Sequence, residues 1–599
     1  MTTPYPEKNE GALATFTIES NGEVIPKTYQ VLSVDTWLGV NKLPRAKLVL
    51  FDGSASTGLF PISSQDIFIP GAKVVISAGY DGVNTRIFKG IVSSQGLEID
   101  QSSGSKLVVE LTDEAMKMTL ERKSGFFEKV KDSALIQTLL SRNGLASDVT
   151  ATAGVHEEIV QYYATDWDLM VTRAQLNGLV VMADGGEVTV APPNTSQAPV
   201  LNLTYGRSIL DLQVEMDATT QLDASSIKGY TWDAGAQKLI ESGPRSVSVK
   251  EQGNVTSADL AKVFGAKKFA LQTGAELQSA DLQDWASAEL LLSKLAKIRG
   301  SVRFHGSALA QVGKMLELGG VGPRFNGVAF ISAVHHHIED GRWMTAADFG
   351  LSPRWFTVEN PDIAAPDAAG QLPPIKGLQT GVVQQVAKDP GGELRVQVGL
   401  PLLQEPSKGV WARLATFYAS SGVGALFYPE VGDEVVVGFM NEDPRHAVIL
   451  GSVYSKQHAP ASAPDEKNTR KAVVTRSKLE LSFDDEKKVI VIKTPGNHIV
   501  KLDDSSGAIS IQDSNGNTVS LSKGGIALDS GKDVKITAKG NVAVKAGANL
   551  TLEATGNVSV SGKQVANKAS VSFSASGNTQ TEVKSGGILT VRGSLVKIN

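Results

Sequence analysis

The chain of 599 residues contains no cysteine. That excludes disulfides, thiolate metal sites and a cysteine nucleophile, and leaves stability to packing or assembly. No run of about 18 apolar residues occurs, and the opening MTTPYPEKNEGALATFTIES has no basic segment followed by an apolar one. The expectation is a soluble protein, cytoplasmic as synthesised, with no signal peptide and no transmembrane segment. Triplets such as Asn549-Leu550-Thr551 then carry no glycosylation reading, because that needs a secretory route. A charge bias is lacking too: 58 Lys and Arg against 63 Asp and Glu leave a formal net charge of -5, so no basic surface marks a nucleic-acid partner.

Catalytic signatures are also sparse. HEEIV at 156–160 has Val160 where a zinc-protease motif needs its second histidine. GGVGPRFNG at 319–327 is glycine-rich but lacks the Lys-Ser/Thr of a phosphate loop, and no Gly-x-Ser-x-Gly elbow occurs. In HHH at 335–337 strand alternation lets only His335 and His337 share an ion, and a polar strand end is the simpler reading. Asp484, Asp485 and Glu486 read as a solvated turn. The expectation is no catalytic residue, no cofactor, no metal ligand and no enzymatic activity.

What is present is mostly strand. The length calls for several domains. Residues 12–112 alternate with period two between Gly and Asp-Gly breaks, as in LATFTIES, RAKLVLFDG and KLVVELTD, which favours a barrel or sandwich. KDSALIQTLLSRNG predicts a helix ended by Gly144, and TDWDLMVTRAQLNG a helix with a Thr/Asp start and a stop at Asn177-Gly178. A hairpin turning at Asp184-Gly185-Gly186 follows. SADLAKVFGAKKF and DLQDWASAELLLSKLAKIRG give more helix before a second set of strands. The expected order is a first β-barrel at 1–125, a helical and β connecting region at 126–300 and second-barrel strands at 301–359. The Pro/Ala/Gly-rich 360–377 is a linker. Five short strands at 378–456 suit a small OB-type barrel with Val435, Val437 and Phe439 inward. A second linker spans 457–477, and a last region of different composition 478–599.

Beyond Tyr454 there is no further Trp or Tyr, and beyond Pro495 no proline. A globular core normally rests on aromatics; here something narrower is packed. Val534/Ile536, Val542/Val544, Leu550/Leu552 and Val558/Val560 recur every eight residues, each an i, i+2 pair on one strand face, with Gly540, Gly547 and Gly556 in the turns between. Ile509/Ile511, Val519/Leu521, Ile526/Leu528, Leu589/Val591 and Val596/Ile598 continue the theme at looser spacing. One strand and turn presents a single apolar stripe and two bare edges, which needs complete burial and closed hydrogen bonding. Three copies wound about a common axis hide all three stripes, so an intertwined triple-stranded β-helix is the expected form, with those four pairs as trimer core. A single-chain solenoid is the competing form, and free hairpins or a disordered tail are further ones.

The segment GVWARLATFYASSGVGALFYPEVGDEVVVGFMNEDPRHAVILGSVY, followed by such a repeat, resembles the VgrG family, spike proteins of type VI secretion systems and related phage-tail-like injection particles, similar to phage tail hub and central spike proteins. The matching residues are Trp411, Arg413, Pro429, Gly432, Asp433, Asp443, Pro444 and Gly451. Ala447 departs from the family's frequent proline, which softens a turn. DWDLMVTRAQLNGLVV and RIFKGIVSS resemble the family's hub. The resemblance implies a homotrimer whose two hub barrels per chain cap a hexameric Hcp-like inner tube among baseplate proteins. It also implies a PAAR-like tip protein, effector cargo, transient contact with a target membrane, and expulsion of the assembled spike on firing. Two further expectations concern what is missing: no lysozyme-like insertion between Tyr454 and Lys478, and no toxin domain after SLVKIN. Because all eight histidines lie at or before His498, a distal tip that binds metal through histidine is not expected either. A tail-spike enzyme degrading polysaccharide through Asp484 or Glu486, or an adhesin, is the alternative.

Overall fold

The computed structural model describes residues 13–102, 104–405 and 407–598. The first twelve residues of the expected first barrel, and Asn599, lie outside the described residues. The chain parts into two units between Val453 and Tyr454, where the aromatic content drops.

In the first unit two sets of strands surround two separate cores. Ala14–Ser20, Val31–Gly39, Arg45–Phe51, Lys73–Tyr80, Val83–Asp100 and Gly104–Thr112 form the first set. Their alternation puts Leu48, Leu50, Val74, Ile76, Leu107, Val109 and Leu111 inward with Phe68 and Phe88. The second set is Leu201–Thr204, Asp211–Met216, Ile298–His305, Met315–Gly319, Gly327–Glu339 and Arg342–Phe349, around Leu203, Val302, Phe304, Leu316, Leu318, Ile331 and Phe349. This set starts before the expected boundary at 301. Leu201–Thr204 runs parallel to Met315–Gly319, and Asp211–Met216 antiparallel to Ile298–His305, so the helical stretch is an insertion within the set. Period-two patterning locates strands but carries no signal for which distant strand each one pairs with.

Both sets belong to one 13-stranded sheet. The joint is the antiparallel pairing of Val31–Gly39 with Gly327–Glu339, in register from Ser33 opposite Glu339 to Gly39 opposite Ala333. Ile338 and Trp343, from the second set, pack into the first core.

Two helices lie between the sets along the chain, and a longer one lies in the insertion within the second set. Asp132–Arg142 buries Leu135, Ile136, Leu139 and Leu140 against Met170, Val171 and Ala174 of Asp166–Leu176, the spacing of one helical face. Thr165 caps the second helix by accepting from the Asp168 N–H at 3.1 Å. Ser279–Leu295 covers the strand Ile227–Asp233 through Ala286 and Leu290.

Gln379–Gln385, Val396–Gly399, Val410–Leu414, Glu434–Phe439 and Ala447–Ser452 close into a five-stranded barrel. Val410–Leu414 and Ala447–Ser452 are its parallel pair. Val435 and Val437 are fully buried in it and Phe439 packs against its core.

The second unit begins as a meander of seven five-residue strands, Arg470–Val474, Glu480–Asp484, Val489–Lys493, Ile499–Asp503, Ala508–Gln512, Thr518–Ser522 and Gly525–Asp529, each antiparallel to the next. The first of them falls inside the expected linker. Its charged sequence RKAVV carries too weak an alternation to mark a strand on its own, and the partner Glu480–Asp484 supplies it. No helix among the described residues is long and apolar enough to cross a membrane.

Candidate assembly surface

The meander gathers a continuous row of apolar side chains onto one face, with Val489, Val491 and Ile499 on the other. Register sets Leu481 opposite Ile492 and Phe483 opposite Ile490, then Ile490 opposite Leu502 and Ile492 opposite Val500. Val500 faces Ile511 and Leu502 faces Ile509; Ile509 faces Leu521 and Ile511 faces Val519; Val519 faces Leu528 and Leu521 faces Ile526. Six strands thus contribute two apolar residues each to a continuous ladder, because cross-strand partners and i, i+2 residues share a face. The turns are pinned by short polar groups. Asp513 accepts from the N–H groups of Asn515 and Asn517 at 2.9 Å and from Asn517 Nδ2 at 2.8 Å, and the Asn517 bonds foremost hold its carboxyl down to about 2.

From Ser530 the chain continues differently. The backbone bends at 531–532, 539–540, 547–548 and 555–556, once per eight residues, with no helix or paired strand between. Val534, Val542, Leu550 and Val558 are each 59–60% exposed, and Ile536, Val544, Leu552 and Val560 each 70–74%. The narrow spread means every repeat has the same local geometry. Among the described residues no loop covers these side chains. Among the described residues from 530 to 598, no backbone N–H bonds a backbone carbonyl. A stretch with unpaired peptide groups and a bare aliphatic stripe is not a self-sufficient fold, since both features demand a partner.

The carboxylates at the second meander turn, after Glu480–Asp484, are engaged. Asp485 pairs with Lys471, Glu486 with Lys467 at 2.8 Å, and Asp484 accepts from the Lys487 N–H at 2.9 Å. His156 of HEEIV sits 3.0 Å from the Asp132 carboxylate that Arg173 and Asn177 also bind.

In the barrel, the motif residues shape turns and walls. Gly432, at φ +95°, donates to the Val383 carbonyl at 2.8 Å, and Asp433 Oδ2 accepts from the Glu430 N–H at 2.9 Å. The block from Pro429 to Asp433 thereby anchors Glu434–Phe439 beside Gln379–Gln385. Asp443, followed by Pro444, accepts from the Arg445 N–H at 2.9 Å and its guanidinium at 2.6 Å, which brings its carboxyl down to about 2. Trp411 and Arg413 lie on Val410–Leu414 opposite Gln397 and Val448, and Gly451 faces Val436 beside a bulge. Ala447 is a strand residue, buried between Phe439 and Ala412. The expectation that it softens a turn is corrected: the turn ends at His446, whose N–H reaches the Asp443 carbonyl.

Comparison with known proteins matches three segments. Residues 10–340, more than half of the chain, match the Alg8 N-terminal domain; 379–454 match the type VI secretion system/phage-baseplate injector OB domain; 489–566 match the phage baseplate V C-terminal trimerisation domain. The type VI secretion system spike protein VgrG3 of Vibrio cholerae serotype O1 is 38% identical over 82 residues, 13% of this chain and 8% of the relative. VgrG5 of Pseudomonas aeruginosa is 30% identical over 130 residues, 19% of this chain and 16% of the relative. The matched segments thus span less than a fifth of these relatives' length. Among solved structures, a type VI secretion component of E. coli similar to the phage T4 tail proteins gp27 and gp5 aligns with a TM-score of 0.37 at 12% identity, covering 73% of this chain and 99% of that one.

Proposed function

The chain belongs to the phage baseplate V and VgrG spike family, with an Alg8 N-terminal domain as its first half, and on that premise we propose that it is the homotrimeric hub and central spike of a contractile injection system. The observation that carries this reading is the stripe of Val534, Ile536, Val542, Val544, Leu550, Leu552, Val558 and Val560, uniform and uncovered within one chain and lying in the segment that matches a trimerisation domain. Three copies winding together turn three such stripes into one apolar axis and give each extended segment a neighbour on both edges.

The same arithmetic applies to the hub. Two strand sets per chain, taken three times, make a pseudo-sixfold ring able to cap a hexameric Hcp-like tube, with baseplate proteins around it. On sheath contraction the spike is driven through the target membrane, with a PAAR-like tip and effector cargo attached. Its outward Lys, Ser, Thr and Asn residues are costly to leave in lipid, which favours passage over lodging. The spike works by stiffness and shape, so no chemistry is assigned to it. The lysine partners of Asp485 and Glu486 favour this over the polysaccharide-degrading alternative.

Light scattering on the purified full chain is the test. The expected mass is three times 63.3 kDa. A monomer at micromolar concentration contradicts the proposal, and measured turnover of glycan, abolished in Glu486→Gln, transfers the chain to the enzymatic alternative.

A further inference from the structure

The joint between the two strand sets brings together three metal-ligating side chains. Asp35 lies directly opposite His337, and His335 lies opposite Trp37, two residues along from Asp35. Cross-strand partners and i, i+2 residues share a face, so Asp35, His335 and His337 project on one side. His336 points to the other, buried, with its Nδ1 2.9 Å from Thr345 Oγ1.

The ligand atoms of Asp35, His335 and His337 all lie within 4.8 Å of one another. Asp35 Oδ1 is 2.9 Å from His335 Nε2 and 2.7 Å from His337 Nδ1. The rings are also held from behind. His337 presents its other nitrogen, Nε2, to Glu339 Oε2 at 3.3 Å, and His335 stacks on Trp37 with ring centroids 5.0 Å apart and planes within 10°. A ligating histidine whose second nitrogen meets a carboxylate is the arrangement that fixes ring orientation and tautomer in metal centres.

We propose that Asp35, His335 and His337 form a binding site for one divalent transition-metal ion of the zinc type, clipping the two halves of the hub together. Two imidazole nitrogens and one carboxylate oxygen are a donor set for such an ion, bound at about 2.0–2.2 Å with a fourth position left to water. Tetrahedral donors at that radius stand about 3.3 Å apart, so the two histidine–aspartate separations need to open by only about half an ångström. Both histidine side chains are more than a third exposed, which leaves a path for the ion and room for the water. The clip has mechanical sense. It ties residues some 300 positions apart at the pairing that joins the first strand set to the second among the described residues, and an ion held only by the folded pairing stabilises that pairing.

The test uses the full chain without a histidine tag, stripped with a chelator, then loaded with zinc alone and desalted before metal analysis. The expected result is one equivalent of zinc per chain, raising the melting temperature of the hub. The double variant His335→Gln/His337→Gln loses it, and Glu339→Gln weakens binding about 10- to 100-fold. Cobalt substituted for zinc gives visible absorption bands of a low-symmetry nitrogen and oxygen site, a readout that needs no variant to fold. Zinc retained at the same stoichiometry by the double variant, or a wild-type chain that retains no zinc and gives no cobalt bands, overturns the proposal.

Discussion

Asp132 draws four donors onto one carboxylate: Arg173 Nε at 2.5 Å and Nη2 at 2.8 Å, Asn177 Nδ2 at 2.8 Å, and His156 Nε2 at 3.0 Å. Burial by itself raises this carboxyl, and the bonds from His156, Arg173 and Asn177 outweigh it, so the group is held well below the usual carboxylate range. Its folded value lies below the unfolded value of about 3.9. The stabilisation is therefore complete at neutral pH and is lost as pH falls below about 4 toward the folded value. Asp132→Ala should cost the first unit about 3 kcal/mol at pH 7, because Arg173, its side chain only 18% exposed, is left without its partner. Thermal melting of wild type and variant should show that gap narrowing below pH 4; a gap that widens there is incompatible with the assignment. Gly381 makes a second residue-scale case. A Cβ there would sit 2.3 Å from Val398 Cγ1 and 3.0 Å from Val437 Cγ2 inside the closed barrel. Gly381→Ala should destabilise the barrel by about 1–3 kcal/mol through overpacking, measurable as a lowered denaturant midpoint.

Elements of this chain were legible where their signal is local. The helix at 132–142, the stop at Asn177-Gly178 and the hairpin at Asp184-Gly185-Gly186 follow from capping and turn chemistry that a few neighbouring residues supply. Of the meander's aliphatic pairs, Ile509/Ile511, Val519/Leu521 and Ile526/Leu528 were legible for the same reason, since a strand of five residues shows its face in i and i+2; the expectation that their strands pair between copies is corrected, because they pair antiparallel within the chain. The seam between Val31–Gly39 and Gly327–Glu339 was not, because pairing across about 300 residues leaves no trace in either segment. With it went Asp35, which no pattern links to the histidine triplet. The insertion of helices between Asp211–Met216 and Ile298–His305 was hidden by the same cause. At this scale the stripe makes a sharp prediction. In the proposed trimer Val542→Asp would place a charge on the apolar axis, and it should shift the light-scattering mass from trimer toward monomer. Lys545→Glu, on the polar face of the same repeat, should leave the mass unchanged. Equal behaviour of the two variants would remove the stripe from the interface.

For the whole molecule the two units call for different sources of stability. The first has buried cores and one closed barrel of its own. The second has an aliphatic ladder followed by a bare octad stripe, and the described residues from 530 onward have no backbone partner within the chain. Among the described residues the amides of 533–560 have no intrachain backbone partner, so hydrogen exchange on the purified chain reads the central claim directly. The account predicts that these amides exchange as slowly as those of the barrel strand Glu434–Phe439, and that Val542→Asp releases them. Exchange at the rate of an unfolded chain, in protein that is otherwise folded, would contradict it.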